Sequence, residues 1–164
     1  MGRAFIFGDS VDTDVLAPGH LMKLAPDELA THCLEALAPD FARTVRPGDV
    51  VVAGHSFGVG SSREQAAVSL KKLGVSVLAV SFARIFYRNA INVGLPVVQF
   101  KQAAEIAPGD DLRLDLSLGM VTDLTTGKTY SVPALPPHVL AMVRDGGLIP
   151  HLKIRLAAKR ESQP

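Results

Sequence analysis

Between the apolar run Val50-Val51-Val52-Ala53 and a stretch of helical spacing lies Gly58-Val59-Gly60-Ser61-Ser62-Arg63-Glu64. A glycine turn at that place lets backbone approach a ligand closely. The helix that follows offers unpaired N–H groups and the positive end of its dipole. Two hydroxyls and a guanidinium sit at the same end. Such a mouth suits a carboxylate or phosphate, and the fork of Arg63 suits a carboxylate gripped by both oxygens. The same residues have a structural reading, because Ser61-x-x-Glu64 is a capping box that would close the helix start. The two readings are compatible, since a capped helix still points donors outward. The third glycine of a dinucleotide fingerprint is replaced by Arg63, and no Gly-Lys-Ser/Thr of a phosphate loop follows.

A second group is Asp9-Ser10-Val11-Asp12-Thr13-Asp14. Its alternating acids resemble the start of a calcium loop without the glycine and distal glutamate that complete one. Acids bonding their own backbone in turns account for the pattern, and one of them as a site carboxylate is the other reading. A third group, Ser81-Phe82-Ala83-Arg84-Ile85-Phe86-Tyr87-Arg88-Asn89-Ala90-Ile91-Asn92, carries aromatic side chains at helical spacing, expected in the core. Its arginines and asparagines read as a solvated face or one turned to a loop or partner. His20, His32, His55, His138 and His151 form neither an H-x-x-x-H nor an H-E-x-x-H pair, so no metal site is expected.

These residues need a scaffold, and the chain supplies an α/β one. Residues 3–7 read as a first strand, residues 11–23 as a loop, and Pro26-Asp27-Glu28 as the start of a helix carrying Leu29, Cys33, Leu34 and Leu37. A short helical piece surrounds Phe41. Residues 50–53, 75–80 and 95–100 are apolar strands, separated by helices over 62–73 and 83–91, which predicts a partly parallel sheet flanked by helices. From Leu112 the texture turns β-rich: Leu112, Leu114 and Leu116 alternate, residues 125–128 form a hairpin turn, and Tyr130 and Val132 resume. A helix over 139–144, a strand-like 148–156 and a mobile polar tail over 158–164 complete a single domain spanning 1–164.

Composition narrows the function. A chain of 164 residues can bury about 70% of its unfolded surface as one domain. The net charge of +1, with cations scattered, argues against nucleic acid or a membrane surface as partner. Met1-Gly2-Arg3-Ala4-Phe5 lacks a signal-peptide core, and no apolar run reaches the ~20 residues of a membrane span, so a cytoplasmic protein is expected. Cys33 is the only cysteine, so this chain alone cannot supply the three or four thiolates of an iron–sulfur cluster.

Taken in order, Gly8–Asp14, Val52-Ala53-Gly54, Phe57–Glu64, Ser81–Asn92 and Gly94-Leu95-Pro96 resemble the small subunits of the 3-isopropylmalate dehydratase family. Similar patterns occur in homoaconitase and 2,3-dimethylmalate dehydratase small subunits and in the swivelling domain of aconitase. The resemblance implies a swivelling β/β/α domain closing over a [4Fe–4S] cluster held by a separate large subunit, as a heterodimer or heterotetramer. It implies a hydro-lyase acting on a hydroxy dicarboxylic acid, foremost isopropylmalate in leucine biosynthesis, in which Ser61 is the base and Arg63 stabilises it. It further implies that Ser62, Thr13 and Asp14 bind substrate, and that Met22 and Lys23 lie in the specificity loop, apolar Met22 favouring a branched alkyl group. Two positions depart from the family: Val59 stands where cysteine is usual and Gln65 where histidine is usual. A stand-alone carboxylate-binding regulatory module is the competing reading, and a nucleotide-binding enzyme a third.

Overall fold

The structure, a computed structural model, describes residues 1–161. In chain order it comprises β1 (Gly2–Ile6), α1 (Thr13–Leu16), a 3-10 turn (Gly19–Leu21), α2 (Pro26–Ala30), α3 (Phe41–Thr44), β2 (Val50–Ala53) and α4 (Glu64–Lys72). There follow β3 (Ser76–Ala79), α5 (Arg84–Val93), β4 (Val97–Gln99), a 3-10 turn (Ala103–Glu105), β5 (Asp111–Asp115), β6 (Met120–Asp123), β7 (Thr129–Ser131), α6 (Pro137–Arg144) and α7 (Leu148–Glu161). The strands form one seven-stranded sheet in the order β4-β3-β2-β1-β5-β6-β7. Its first four strands are parallel and the last three join antiparallel, so the expected partly parallel sheet with a β-rich C-terminal part is present.

The continuous apolar character of β2 follows from burial on both faces. Val51 and Ala53 face one apolar cluster with Val77, Ala79 and Val97, packed under the helices by Phe41, Leu70 and Phe86. Val50 and Val52 face a second with Leu78 and Val98, closed by Phe100, Ile106, Leu112, Val121 and Tyr130. Phe100 meets Tyr130 edge to face at 5.3 Å, which ties the end of β4 to β7 across the curled sheet. Among the described residues no helix is long and apolar enough to cross a membrane.

Three local expectations need correction. The loop over residues 11–23 contains α1, a single turn capped by Asp12, whose side chain accepts from Asp14 N and Val15 N. The helix opened by Pro26 ends at Ala30, because Leu34 N bonds to Val15 O at 2.9 Å instead of continuing the ladder. Leu34 there takes a positive φ of 63°, and Leu37 is exposed. The strand-like 148–156 is the first part of α7, with Pro150 tolerated in its first turn. Its apolar alternation finds no sheet edge: Ile149, Leu152, Ile154 and Leu156 are all exposed. The expected tail is therefore helical through residue 161, and 162–164 lie outside the described residues.

Candidate active site

The site stands at the carboxyl ends of β1, β2 and β3, where ligands of open α/β sheets bind. Three loops are laced together there by backbone bonds. Gly58 N donates to Val11 O and Thr13 N to Val59 O, at 2.7 and 2.8 Å, joining the loops after β1 and β2. Phe57 N donates to Ser81 O and Ala83 N to Phe57 O, at 3.0 and 2.9 Å, joining the loops after β2 and β3. Two glycines permit this approach. A Cβ on Gly58 (φ +79°) would stand 2.1 Å from Cγ of Phe86, and one on Gly60 (φ +114°) 2.9 Å from Oγ1 of Thr13.

The space left by Gly60 brings Thr13 against Ser61. Thr13 is buried, and its Oγ1 accepts from Ser61 N at 2.9 Å and lies 3.1 Å from Ser61 Oγ. With the Ser61 amide occupying the threonine oxygen, the threonine proton is available to Ser61 Oγ. Ser61 itself is exposed and lines a cleft of about 690 Å³. The capping box does not form: α4 starts at Glu64, Arg63 is its N-cap, and no side chain bonds the helix start. The serine hydroxyl is turned to Thr13 instead.

Arg63 donates through Nη1 to Asp14 Oδ1 at 2.6 Å and to Ala17 O at 3.1 Å. The remaining N–H groups of its fork are left for a ligand. Asp14 also accepts from Gly19 N at 2.9 Å. The Arg63 guanidinium, assisted by the Gly19 amide, holds the Asp14 carboxyl below the usual carboxylate range. The other acids of the first loop serve backbone: Asp12 caps α1, and Asp9 Oδ1 accepts from His55 N at 2.7 Å.

Ser61 with Thr13 and Arg63 with Asp14 thus form two hydrogen-bonded pairs side by side along the chain, with exposed Ser62 beside them. Ser62 is anchored by its carbonyl, which accepts from Asn89 Nδ2 at 3.2 Å. Sequence reading gave Asn89 only as part of a polar helix face, solvated or turned to a loop or partner, and not as a site residue. The residues expected in a specificity loop, Met22 and Lys23, are not joined to this group by their side chains. Met22 packs against the helix-side core, Lys23 is exposed without an ion pair among the described residues, and only the Gly19–Asp14 bond tethers their segment to the site. Cys33 is fully buried away from the site, and among the described residues no three His, Cys, Asp or Glu side chains converge.

Residues 36–103 match the family model of the aconitase C-terminal domain. This fold, with a serine–arginine mouth beyond β2, is of the aconitase C-terminal class. Over 155 residues the chain is 50% identical to the 3-isopropylmalate dehydratase small subunit 1 of Thermotoga maritima, covering 93% of each chain. It is also 50% identical over 152 residues to the methanogen homoaconitase small subunit of Methanothermobacter thermautotrophicus, covering 92% of this chain and 88% of that one. The crystal structure of 3-isopropylmalate dehydratase from Methanocaldococcus jannaschii superposes with a TM-score of 0.92 at 41% identity, covering 99% of this chain and 98% of the other. The chain belongs to the family of 3-isopropylmalate dehydratase small subunits.

Proposed function

We propose that this chain is the small, substrate-side subunit of a cytoplasmic two-component hydro-lyase that interconverts 2- and 3-isopropylmalate in leucine biosynthesis. The whole chain acts as one domain, because a single sheet runs from β1 to β7. The observation that carries the reading is an exposed serine hydroxyl lining an open cleft, backed by a buried threonine hydroxyl and two residues before the N-cap arginine.

Ser61 Oγ, as alkoxide, removes the proton from the carbon next to a substrate carboxylate. Thr13 donates to that oxygen and the free fork of Arg63 takes the carboxylate, donors preorganised where negative charge develops. Asp14 fixes the guanidinium plane, and Ser62 binds the same end of the substrate. Met22 and Lys23 approach from the specificity loop only if that segment shifts on binding.

The chain's own residues do not fit an iron–sulfur cluster. The single thiol lies fully buried in the core and burial pushes its pKa upward, away from the thiolate that metal requires. In this reading a [4Fe–4S] cluster would be held by a large partner subunit, where it would supply Lewis-acid chemistry.

Mixing the chain with a cluster-bearing large subunit tests the proposal. Turnover of isopropylmalate should appear only in the mixture, and Ser61→Ala should lower kcat by about 10³-fold or more, in keeping with loss of a positioned base, with the thermal midpoint unchanged. Wild-type turnover by that variant would overturn the assignment. The equal identity to a homoaconitase small subunit favours a second substrate, a tricarboxylic hydroxy acid; faster turnover of that acid by the same mixture would select it.

A further inference from the structure

Helix α5 holds the serine loop at two points. The Phe86 ring occupies the space a Cβ on Gly58 would need, and Asn89 Nδ2 donates to Ser62 O at 3.2 Å. Phe86 and Asn89 are three residues apart, so they share one face of the helix. We propose that Asn89 is a positioning residue for the reaction: by holding Ser62 O it fixes the peptide between Ser62 and Arg63, and so aims the Ser62 hydroxyl and the Arg63 N–H at the substrate carboxylate. This deepens the reading of the site as a hydroxy-diacid site and rests on it.

The residues on either side of Ser62 are tied from the opposite direction. Thr13 takes the Ser61 amide, and Asp14 and Ala17 O take the Arg63 guanidinium; all three belong to α1 or its end. Ser62 has no such tie. Among the described residues no backbone N–H donates to its carbonyl, because α4 begins at Glu64 and the Ala66 amide turns to Arg63 O at 3.3 Å. No side chain caps the helix start either. A segment held at both ends and free in its middle can turn its central peptide as a plane. A trans peptide points its N–H opposite its C=O, so the Asn89 bond selects one orientation and with it the direction of the Arg63 N–H. That N–H has no acceptor among the described residues, which leaves it for a ligand.

The donor is itself well fixed. Asn89 is the sixth of ten residues in α5, and Phe86 and Ala90 beside it are buried. Phe86 stacks on Phe82 at 6.3 Å and meets Phe57 edge to face at 5.3 Å, so the helix cannot shift without disturbing the core. Asparagine is a poor helix former, because its amide competes for backbone bonds. At position 89 the amide reaches across to another loop instead. Asn89 does not line the cleft, so whatever it does for a ligand passes through Ser62 and Arg63.

The test uses the full chain assembled with its cluster-bearing subunit. Asn89→Ala removes the donor, and the better helix propensity of alanine offsets part of the lost bond, so the thermal midpoint should shift by less than about 4 °C. Even so, kcat for isopropylmalate should fall about 10- to 100-fold, the scale of donors misplaced by about an ångström. KM should change less than about threefold, because Asp14 and Ala17 still hold the guanidinium. Asn89→Gln, with the same amide on a longer arm, should recover part of the lost kcat. Asn92→Ala, at an exposed position in the last turn of the same helix, should leave kcat unchanged. A readout without turnover is the nitrogen-15 resonance of the Arg63 amide in the lone chain, since a bond to the preceding carbonyl polarises that peptide. It should move in Asn89→Ala, return toward its original position in Asn89→Gln and stay in place in Asn92→Ala. A kcat for Asn89→Ala within about twofold of the unaltered enzyme would overturn the inference. So would equal losses in Asn89→Ala and Asn89→Gln, or a stationary Arg63 resonance. Failure of the underlying function looks different: the wild-type mixture would turn over no hydroxy diacid, and the resonance would still decide whether Asn89 holds the peptide.

Discussion

A hydroxyl is a weak base, and what distinguishes Ser61 from the other serines of this chain is the company of Thr13. Thr13→Val keeps the shape and removes the proton that can reach Ser61 Oγ. Stopped-flow or steady-state kinetics on the assembled enzyme should show kcat falling about 10²- to 10³-fold, as for loss of one positioned donor, with KM little changed. Asp14 offers a prediction from its depressed titration. Its folded-state pKa lies below the ordinary value, so any stability it contributes is present above the ordinary carboxylate range and lost as pH falls through the lower value. Carbon-13 NMR should follow Asp14 titrating below its usual range, and Arg63→Gln should move that transition upward. The pair is solvent-exposed, so the global thermal midpoint should hardly respond. Ser61 and Arg63 were legible as candidates because they follow a glycine turn, whereas Asp14 was one of two readings of an acidic loop and Thr13 came from the family resemblance alone. What each one bonds was not: the capping reading of Ser61 and the substrate-binding reading of Thr13 both turn on a contact across 48 residues of chain. Local pattern carries no term for such a contact. The partner of Asn89, Ser62 O, was hidden for the same reason.

Elements with tight packing constraints were read better than those without. β2, β3 and β4 announced themselves as apolar runs because two clusters bury their faces. α4 and α5 fell within two residues of expectation at each end, bounded by glycine turns and arginine-bearing starts. The extent of α2 was misjudged because its apolar spacing continues while its backbone bonds are diverted to α1. β6 was missed: Val121 and Asp123 point inward, and a buried aspartate does not look like a core residue. That carboxylate works on the turn before β7. Burial would raise its pKa, but donation from Thr126 and the Thr125 and Thr126 amides outweighs it and leaves the carboxyl below its usual range. The serine loop depends on one element-scale contact above others. Gly58→Ala must adopt a left-handed φ and place a methyl inside the Phe86 ring, at a cost of roughly 2–4 kcal/mol from backbone strain and overpacking together. Urea denaturation should show that loss, and the assembled enzyme should lose activity with it, because Phe86 cannot move without carrying α5.

The molecule divides at β1, where the parallel half that bears the site meets the antiparallel half that does not. Neighbouring residues of β2 belong to opposite clusters, so Val51→Ala and Val52→Ala should each cost roughly 2–3 kcal/mol in urea denaturation, from lost methyl burial plus a cavity. A sheet covered on one face only would lose that much at one of the two positions. The α/β class and the change of texture near Leu112 were readable along the chain; the joining of both halves into one sheet was not, since β1 must pair with strands on both sides. Cys33, sealed beneath that sheet's helices with its thiol held protonated, has a further consequence. A thiol that oxidants and alkylating agents cannot reach leaves this polypeptide no reactive cysteine to lose in air. Under the division of labour proposed above, oxygen damage to the holoenzyme falls chiefly on the companion chain and its cluster, and fresh companion added to aged small subunit should restore activity without new synthesis of this one.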